Sequence, residues 1–398
     1  MSFDRGATEL VHGRDGERKS GVDIEKEIEI DMLKPPQVAR KMNQPLVSVV
    51  MVVRNVDRFL AEAVESILAQ TFTDFEFVIL DFGSTDRSKA IASSYAARDN
   101  RIRLHEVPNC GLAEARNAAC FLAEGQYIAI QDADDMSVPD RLLRQVEFME
   151  KHQDFGLLGG AAEWVDSQAK SLWTLTFPTE DCEIRSALST RCPFSQTAVL
   201  LRREAFLAVG GYRAAFAPSE DYDLWLRISE HFRCANLKEV VVKYRIHPQQ
   251  VSVSGRKQQT FCAVAARASA AFRKNGSPDL LNREKAITPE LLARLGVSEA
   301  ELQTSLFSNY RDWIRNMVAA KEYSVALQIA AEMLQSDWEY VEQWKIACLQ
   351  LIAARLYWRQ KRFPKSFVSA CHAVRQPAAL AKDFGQALLR RIGRAVRM

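Results

Sequence analysis

Between residues 46 and 160 the chain alternates, without interruption, between short β-branched runs and amphipathic helical stretches. LVSVVMVV (46–53) is the continuous apolar run that a strand buried on both faces requires. DRFLAEAVESILAQTF follows, with Phe59, Leu60, Val64, Ile67 and Leu68 on one helical stripe. FEFVIL, RIRLHEV and QYIAIQ read as further strands, separated by the helical STDRSKAIASSYAAR and GLAEARNAACFLAEG. A helix over 139–152 and a strand over 155–160 continue the series. This order fits an α/β domain with a mostly parallel sheet flanked by helices and wound right-handed.

In open sheets of this kind ligands sit beyond the carboxyl ends of the strands. The first such end reads Arg54-Asn55, the second Asp81-Phe82-Gly83-Ser84 and the fourth Asp132-Ala133-Asp134-Asp135. Alternate side chains of an extended segment share a face, so Asp132 and Asp134 project the same way. Like charges this close resist burial, and a solvated loop is the ordinary explanation. Paired carboxylates at a strand end also suit a divalent cation that leaves its other positions to phosphate oxygens. Three polar clusters converging on one sheet edge favour the second explanation.

A length of 398 residues implies two or three domains. Residues 1–44 mix charges of both signs with Gly and a Pro-Pro pair, and read as a mobile segment with a short helix near 22–33. The α/β domain occupies 45–255. Its second half adds the strands WTLTF and SQTAVLLRR, a turn at GGYR and the helix SEDYDLWLRISEHF. Glu220, Asp221 and Asp223 lie in that helix's first turn, where the helix dipole favours acids. VVVKYRIHPQQ is a last strand ending at His247. Residues 256–398 are helical in character, with 324–334 and 355–374 as halves of helical hairpins that show no reliable repeat.

An apolar share of 47% with 26% charged residues is ordinary for a soluble protein. No apolar run is long enough to span a membrane, and the first twenty residues lack the apolar centre of a secretory signal. Eight scattered cysteines without a CxxC pair speak against structural zinc and for the reduced thiols of a cytosol. From residue 355 onward, eleven Lys or Arg face the single Asp383, a local charge of +10 against −7 for the remainder. In that tail Leu380, Phe384, Leu388, Ile392 and Val396 form a drifting stripe beside Arg390, Arg391, Arg394 and Arg397. Two explanations stand: a helix lying on an anionic membrane surface, or a terminal helix packed on its own domain. Nucleic acid is not expected as a partner, since no binding fold accompanies the charge.

VSVVMVVRN, FEFVILDFGSTD, NCGLAEARNAA, YIAIQDADD and SEDYDLWLR, in that order from about 46 to 250, together resemble the family 2 inverting glycosyltransferases of GT-A fold. The resemblance implies transfer of a sugar from a nucleotide-diphosphate donor, a UDP-sugar by preference, to a carbohydrate or lipid-linked acceptor hydroxyl. It implies Mg²⁺ or Mn²⁺ as cofactor, and polysaccharide or glycolipid biosynthesis as the setting. By the same resemblance Asp81 meets the base, Asn55 and Arg116 lie at the nucleotide, and Asp132 lies on the ribose side. Asp134 ligates the metal, His247 reaches the metal or diphosphate, and Gln196 lies on the acceptor side. Asp221, with Glu220 beside it, is implied as the general base. Such chemistry needs a Lewis acid for the leaving diphosphate and one carboxylate for the acceptor's proton, but no enzyme nucleophile.

The chain departs from the family's pattern at Val52, Arg54 and Phe82, the last replacing a second Asp and leaving the donor base open. No GxGxxG follows the first strand, and neither GxxxxGK[ST] nor GxSxG occurs, which sets aside dehydrogenases, P-loop enzymes and serine hydrolases. The remaining alternative is a non-catalytic transferase domain used for binding. The enzyme reading expects a cytoplasmic protein, peripheral on the inner face of the membrane if the tail binds there.

Overall fold

The computed structural model describes residues 44–282, 284–361 and Lys365. The expected mobile N-terminal segment and basic amphipathic tail lie outside them. The chain opens with β1 (Val47–Val53), α1 (Asp57–Leu68), β2 (Phe75–Asp81), α2 (Ser88–Ala96), β3 (Ile102–Glu106), α3 (Leu112–Leu122) and β4 (Tyr127–Ile130). Then come β5 (Met136–Ser137), α4 (Arg141–Lys151), β6 (Phe155–Val165), β7 (Ser171–Leu175), α5 (Asp181–Leu188), β8 (Leu200–Arg202) and α6 (Arg203–Ala208). α7 (Glu220–His231) and β9 (Arg233–Arg245) complete the sheet-forming part.

Among the described residues the sheet has nine strands in the order β3-β2-β1-β4-β8-β6-β9-β5, with β7 paired to β6 off this path. Strands β1 to β4 pair in parallel, as expected. Beyond them the sheet becomes mixed. β8 enters antiparallel between β4 and β6, β5 and β7 add antiparallel edges, and only β6 and β9 are again parallel. The sheet is mixed because the connections after β4 no longer run through a full crossover helix each time.

Both faces of β1 are covered, and its alternation divides the core. Val47, Val49, Met51 and Val53 pack with Leu60, Val64 and Ile67 of α1 and with Leu142 and Met149 of α4. Val50 faces the other layer with Ala115 and Ala119 of α3 and Leu224, Trp225 and Ile228 of α7. Small alanines on α3 let that helix lie close beneath the strand ends. Burial on both sides explains the unbroken apolar run.

The helical region comprises α8 (Val251–Ser254), α9 (Arg256–Lys274), α10 (Pro289–Arg294), α11 (Glu299–Ala319), α12 (Tyr323–Gln335) and α13 (Gln343–Arg359). No packing break marks residue 255. Phe261, Cys262, Val264 and Ala265 of α9 and Leu291 and Leu292 of α10 belong to the same apolar cluster as α3 and α7. α11 to α13 build a separate core around Tyr310, Ile314, Met317, Ala330, Met333 and Leu356, which also takes in Ile246 and Val253. Of the helix expected at 355–374, the described part, 355–359, is the end of α13, whose buried positions are Ala347, Leu349, Ala353, Ala354 and Leu356; most of the remainder lies outside the described residues. No helix among the described residues is long and apolar enough to cross a membrane.

Asp223 is fully buried and pairs with Arg213 and, at 2.8 Å, with Arg227. Arg213 and Arg273 both reach Asp279, at 2.8 and 2.7 Å, which stitches α7 to α9. Asp223 is therefore structural, although it shares the acidic turn with Asp221. Removing one member of a buried network strands its partners' charge, so Asp223→Ala should cost about 3–5 kcal/mol. Chemical denaturation of the two proteins measures this directly; a loss below 1 kcal/mol would mean that the network is solvated.

Candidate active site

The carboxyl ends of β1, β2 and β4 meet at one edge. Asn55 follows β1 in the left-handed region (φ 52°), and its side chain accepts the Thr85 N–H at 2.7 Å. Its own N–H donates to Ser84 Oγ at 3.2 Å, so the first two strand-end loops are tied together. At the end of β2, Asp81 Oδ1 accepts the N–H groups of Gly83 and Ser84 at 3.1 and 3.0 Å. That turn requires Gly83 at φ 92°. Asp81 Oδ2 is buried and has no partner among the described residues. Phe82 lines the cleft instead, with the Arg54 guanidinium 5.6 Å from its ring centre.

β4 stops at Ile130, and the fourth end is a turn in which the Asp135 N–H donates to the Asp132 carbonyl at 3.3 Å. Asp132 and Asp134 both line the cleft, while Asp135 turns inward and is 1% exposed. Asp132 Oδ1 accepts from Arg116 Nη2 at 3.0 Å, and Arg116 Nη1 donates to Glu220 Oε1. Arg116 thereby joins α3, the β4 end and the start of α7. Burial works against its charge, but Glu220 and Asp132 outweigh it and hold the guanidinium protonated. Asp132 lies above the usual carboxylate range, because burial and Asp134 together exceed the help from Arg116.

Asp134 Oδ2 lies 3.0 Å from His247 Nε2, which the end of β9 supplies. Phe59 of α1 packs on that imidazole, with ring centres 4.7 Å apart. Arg245, the last residue of β9, is the hub beneath the pair. Its N–H donates to Asp135 Oδ1 at 2.7 Å, its Nε to the Asp134 carbonyl at 2.9 Å, and its Nη2 to Glu62 at 2.6 Å. Gln250 then fixes the segment after β9 by accepting the His247 N–H at 3.1 Å and donating to Tyr244 Oη at 3.2 Å. Behind β4, the buried Arg141 donates to the carbonyls of Ile130 and Val199 at 2.8 and 3.0 Å. Burial lowers its pKa to about 9.

Two adjoining clefts open on this edge. The larger, about 1070 Å³, runs from Arg54 and Phe82 past Asp132 and Asp134 to His247. The smaller, about 270 Å³, holds Glu220, Asp221 and Gln196. Arg116, Asp132 and Tyr244 line both. Asp221 is only partly buried at the cleft wall, and its carboxyl is pushed up to about 7 by burial and by the neighbouring Glu220. Glu220 is 1% exposed, and Arg116 engages one of its oxygens. Of the nucleotide, metal, acceptor and base residues that the resemblance implies, Asp81 alone lines neither cleft.

The donor set at Asp134 and His247 fits a small divalent cation. Two ligands at right angles, each about 2.1 Å from the ion, lie about 3.0 Å apart along an octahedral edge, and the two side-chain atoms are separated by 3.0 Å. His247 Nδ1 is buried without a partner among the described residues. No cluster of three or more His, Cys, Asp or Glu metal donors occurs among them. A cation here would draw its other ligands from phosphate oxygens and water, as Mg²⁺ commonly does.

An open α/β sheet whose carboxyl edge presents paired acids and an arginine to a double cleft defines the class: a GT-A-type fold with a ligand site at the strand ends. The model for "Glycosyl transferase family 2" matches residues 48–215. EpsE of Bacillus subtilis (strain 168) is 37% identical over 207 residues, covering 50% of this chain and 73% of its own. The O-antigen biosynthesis glycosyltransferase WbnJ of Escherichia coli is 30% identical over 214 residues, covering 52% of this chain and 83% of its own. Among solved structures, S. aureus TarS 1–349 in complex with UDP-GlcNAc aligns at 18% identity with a TM-score of 0.49, covering 83% of this chain and 92% of that chain. The chain belongs to glycosyltransferase family 2.

Proposed function

We propose that the protein is a metal-dependent, inverting hexosyltransferase that moves a sugar from a nucleotide-diphosphate sugar, UDP by preference, to an acceptor hydroxyl in polysaccharide or glycolipid assembly. The observation that carries this reading is the division of the site. The Asp134–His247 pair faces the larger cleft, and Asp221 faces the smaller one beside it. Names of relatives add support for the setting: WbnJ is named for O-antigen biosynthesis, and AmsE of Erwinia amylovora for amylovoran biosynthesis.

In this reading the larger cleft holds the donor. Asp81 Oδ2, buried and unpartnered, accepts an N–H of the base. Asn55, Arg116 and Asp132 border the nucleotide, and Asp134 and His247 hold Mg²⁺ or Mn²⁺. When bound, the cation supplies Lewis-acid stabilisation of the charge that develops on the departing diphosphate. Asp221 takes the proton of the acceptor hydroxyl as its oxygen bonds to the anomeric carbon. The nucleoside diphosphate leaves from the opposite face, so configuration inverts. Glu220 acts as the counterion that keeps Arg116 in place rather than as a second base. The protein works in the cytoplasm, and its basic tail is the segment suited to an anionic inner membrane face.

A screen of nucleotide sugars with Mn²⁺ or Mg²⁺, read as released nucleoside diphosphate, tests the proposal. Release from none of them would leave the binding-module alternative. With a carboxyl at about 7 serving as base, only its ionised form works, so transfer should rise with pH and level off above an inflection near 7. A profile flat from pH 5.5 to 8.5 would take Asp221 out of that role.

A further inference from the structure

The smaller cleft has one wall that the transfer chemistry does not require. β6 pairs with β9 and β7 so that Tyr244, Trp164 and Trp173 stand side by side in register. Their ring centres are 4.8 Å apart from Tyr244 to Trp164 and 5.2 Å from Trp164 to Trp173, with tilts of 41° and 31°. All three are only partly buried. Trp164 and Tyr244 line this cleft together with Leu175 and Phe177, and Trp173, packed beside Trp164, extends the row beyond that lining. Trp164 and Tyr244 also pack at the edge of the apolar cluster that α11 to α13 build with Ile246 and Val253.

Polar groups rim the aromatic row. Gln196 donates from Nε2 to Tyr212 Oη at 2.8 Å, which fixes the amide, while its Oε1 is buried with no partner among the described residues. Ser195, Ser252 and Gln259 line the same space, and Asp221 stands at its inner end. An apolar wall with hydrogen-bonding groups at its edge is complementary to a pyranose, whose ring presents C–H faces and a rim of hydroxyls. A phosphate at this position would instead meet the carboxylates of Glu220 and Asp221. Arg116 offers it little, because its guanidinium already serves Glu220 and Asp132.

We infer that this cleft is an acceptor subsite for a saccharide of more than one unit. The sugar bearing the reacting hydroxyl packs on Tyr244 and Trp164 beside Asp221, with a hydroxyl donating to Gln196 Oε1. The next sugar packs on Trp173, at the outer end of the row. This specifies the acceptor of the transferase reading and rests on that reading.

The test uses the full-length chain with the best nucleotide sugar from the donor screen and a panel of methyl glycosides, di- and trisaccharides as acceptors. Nucleoside diphosphate release is measured with and without each saccharide. In the wild type, disaccharides should stimulate release more than the matching methyl glycosides. In Trp173→Ala the ratio of stimulated to unstimulated release should fall about tenfold, through a raised KM for the disaccharide, and Trp173→Phe should restore most of it. Gln196→Glu, which retains an oxygen but adds charge to a buried site, should also lose stimulation. Equal stimulation in wild type and Trp173→Ala overturns the subsite. So does stimulation by a polyprenyl phosphate in detergent micelles with none by any saccharide. Release from no donor at all sinks the transferase reading itself, a failure visible before any acceptor is added.

Discussion

Asp221→Asn should bind donor and cation as the wild type does, yet transfer sugar about 10²- to 10⁴-fold more slowly. The amide has the same shape as the carboxyl and keeps an oxygen for the Tyr222 N–H, which Asp221 Oδ1 now accepts at 2.7 Å. Among the described residues Asp221 forms no ion pair, whereas its neighbours Glu220 and Asp223 are both held by arginines. The substitution therefore removes a proton acceptor and leaves the frame intact. It should even ease the local repulsion, because burial and Glu220 are what push the Asp221 carboxyl up to about 7. An unchanged or raised melting temperature with lost turnover is thus the expected combination. Glu220→Gln should behave in the opposite way. It weakens the hold on Arg116, and its loss should appear in donor KM and in stability before it appears in the chemical step. If Asp221→Asn turns over at the wild-type rate, the proton goes elsewhere.

Much of this site was legible in the sequence because polar residues that directly follow a buried strand fall at the sheet's carboxyl edge. Asp132 and Asp134 both line the cleft, although β4 ends at Ile130 and a turn over 133–134, not strand alternation, sets their directions. The β-branched run of β1 announced two covered faces, and both are present. Polarity was not legible beyond β4. The three-residue β8 and two-residue β5 are too short to carry a period, and their pairing is set by partners far along the chain. The residues that hold the site together were missed for a related reason. Arg141 and Arg245 act through carbonyls contributed by other segments, and Gln250 through the main chain of its own turn. Nothing in a single sequence marks an arginine whose partners are main-chain atoms. The one available hint for Arg245 was its position two residues before His247. The aromatic row was hidden likewise, since Trp164, Trp173 and Tyr244 meet only through a register that three separate strands fix together.

Asp134→Asn should abolish cation-dependent donor binding and bring transfer below about 1% of wild type. Asp134 makes one side-chain contact that an amide would weaken, the 3.0 Å approach to His247. Its backbone is secured independently by the bond from Arg245 Nε to its carbonyl, and the following Asp135 by the Arg245 N–H. The loop should therefore keep its course, and a neutral amide oxygen is a poor ligand for a hard divalent cation. Calorimetric titration of the donor with Mn²⁺ and again with EDTA separates the contributions. In the wild type Mn²⁺ should strengthen binding. In Asp134→Asn the two titrations should coincide at the weaker affinity, which the Arg116 side and the base pocket still supply. Asp132→Asn serves as the contrast. It removes half of the support of Arg116, so it should weaken donor binding with and without Mn²⁺ alike. His247→Gln, which replaces a ring nitrogen by an amide at similar reach, should fall between wild type and Asp134→Asn in cation dependence. Retention of the full Mn²⁺ effect in Asp134→Asn would place the cation elsewhere and dissolve the pairing of Asp134 with His247 as its seat.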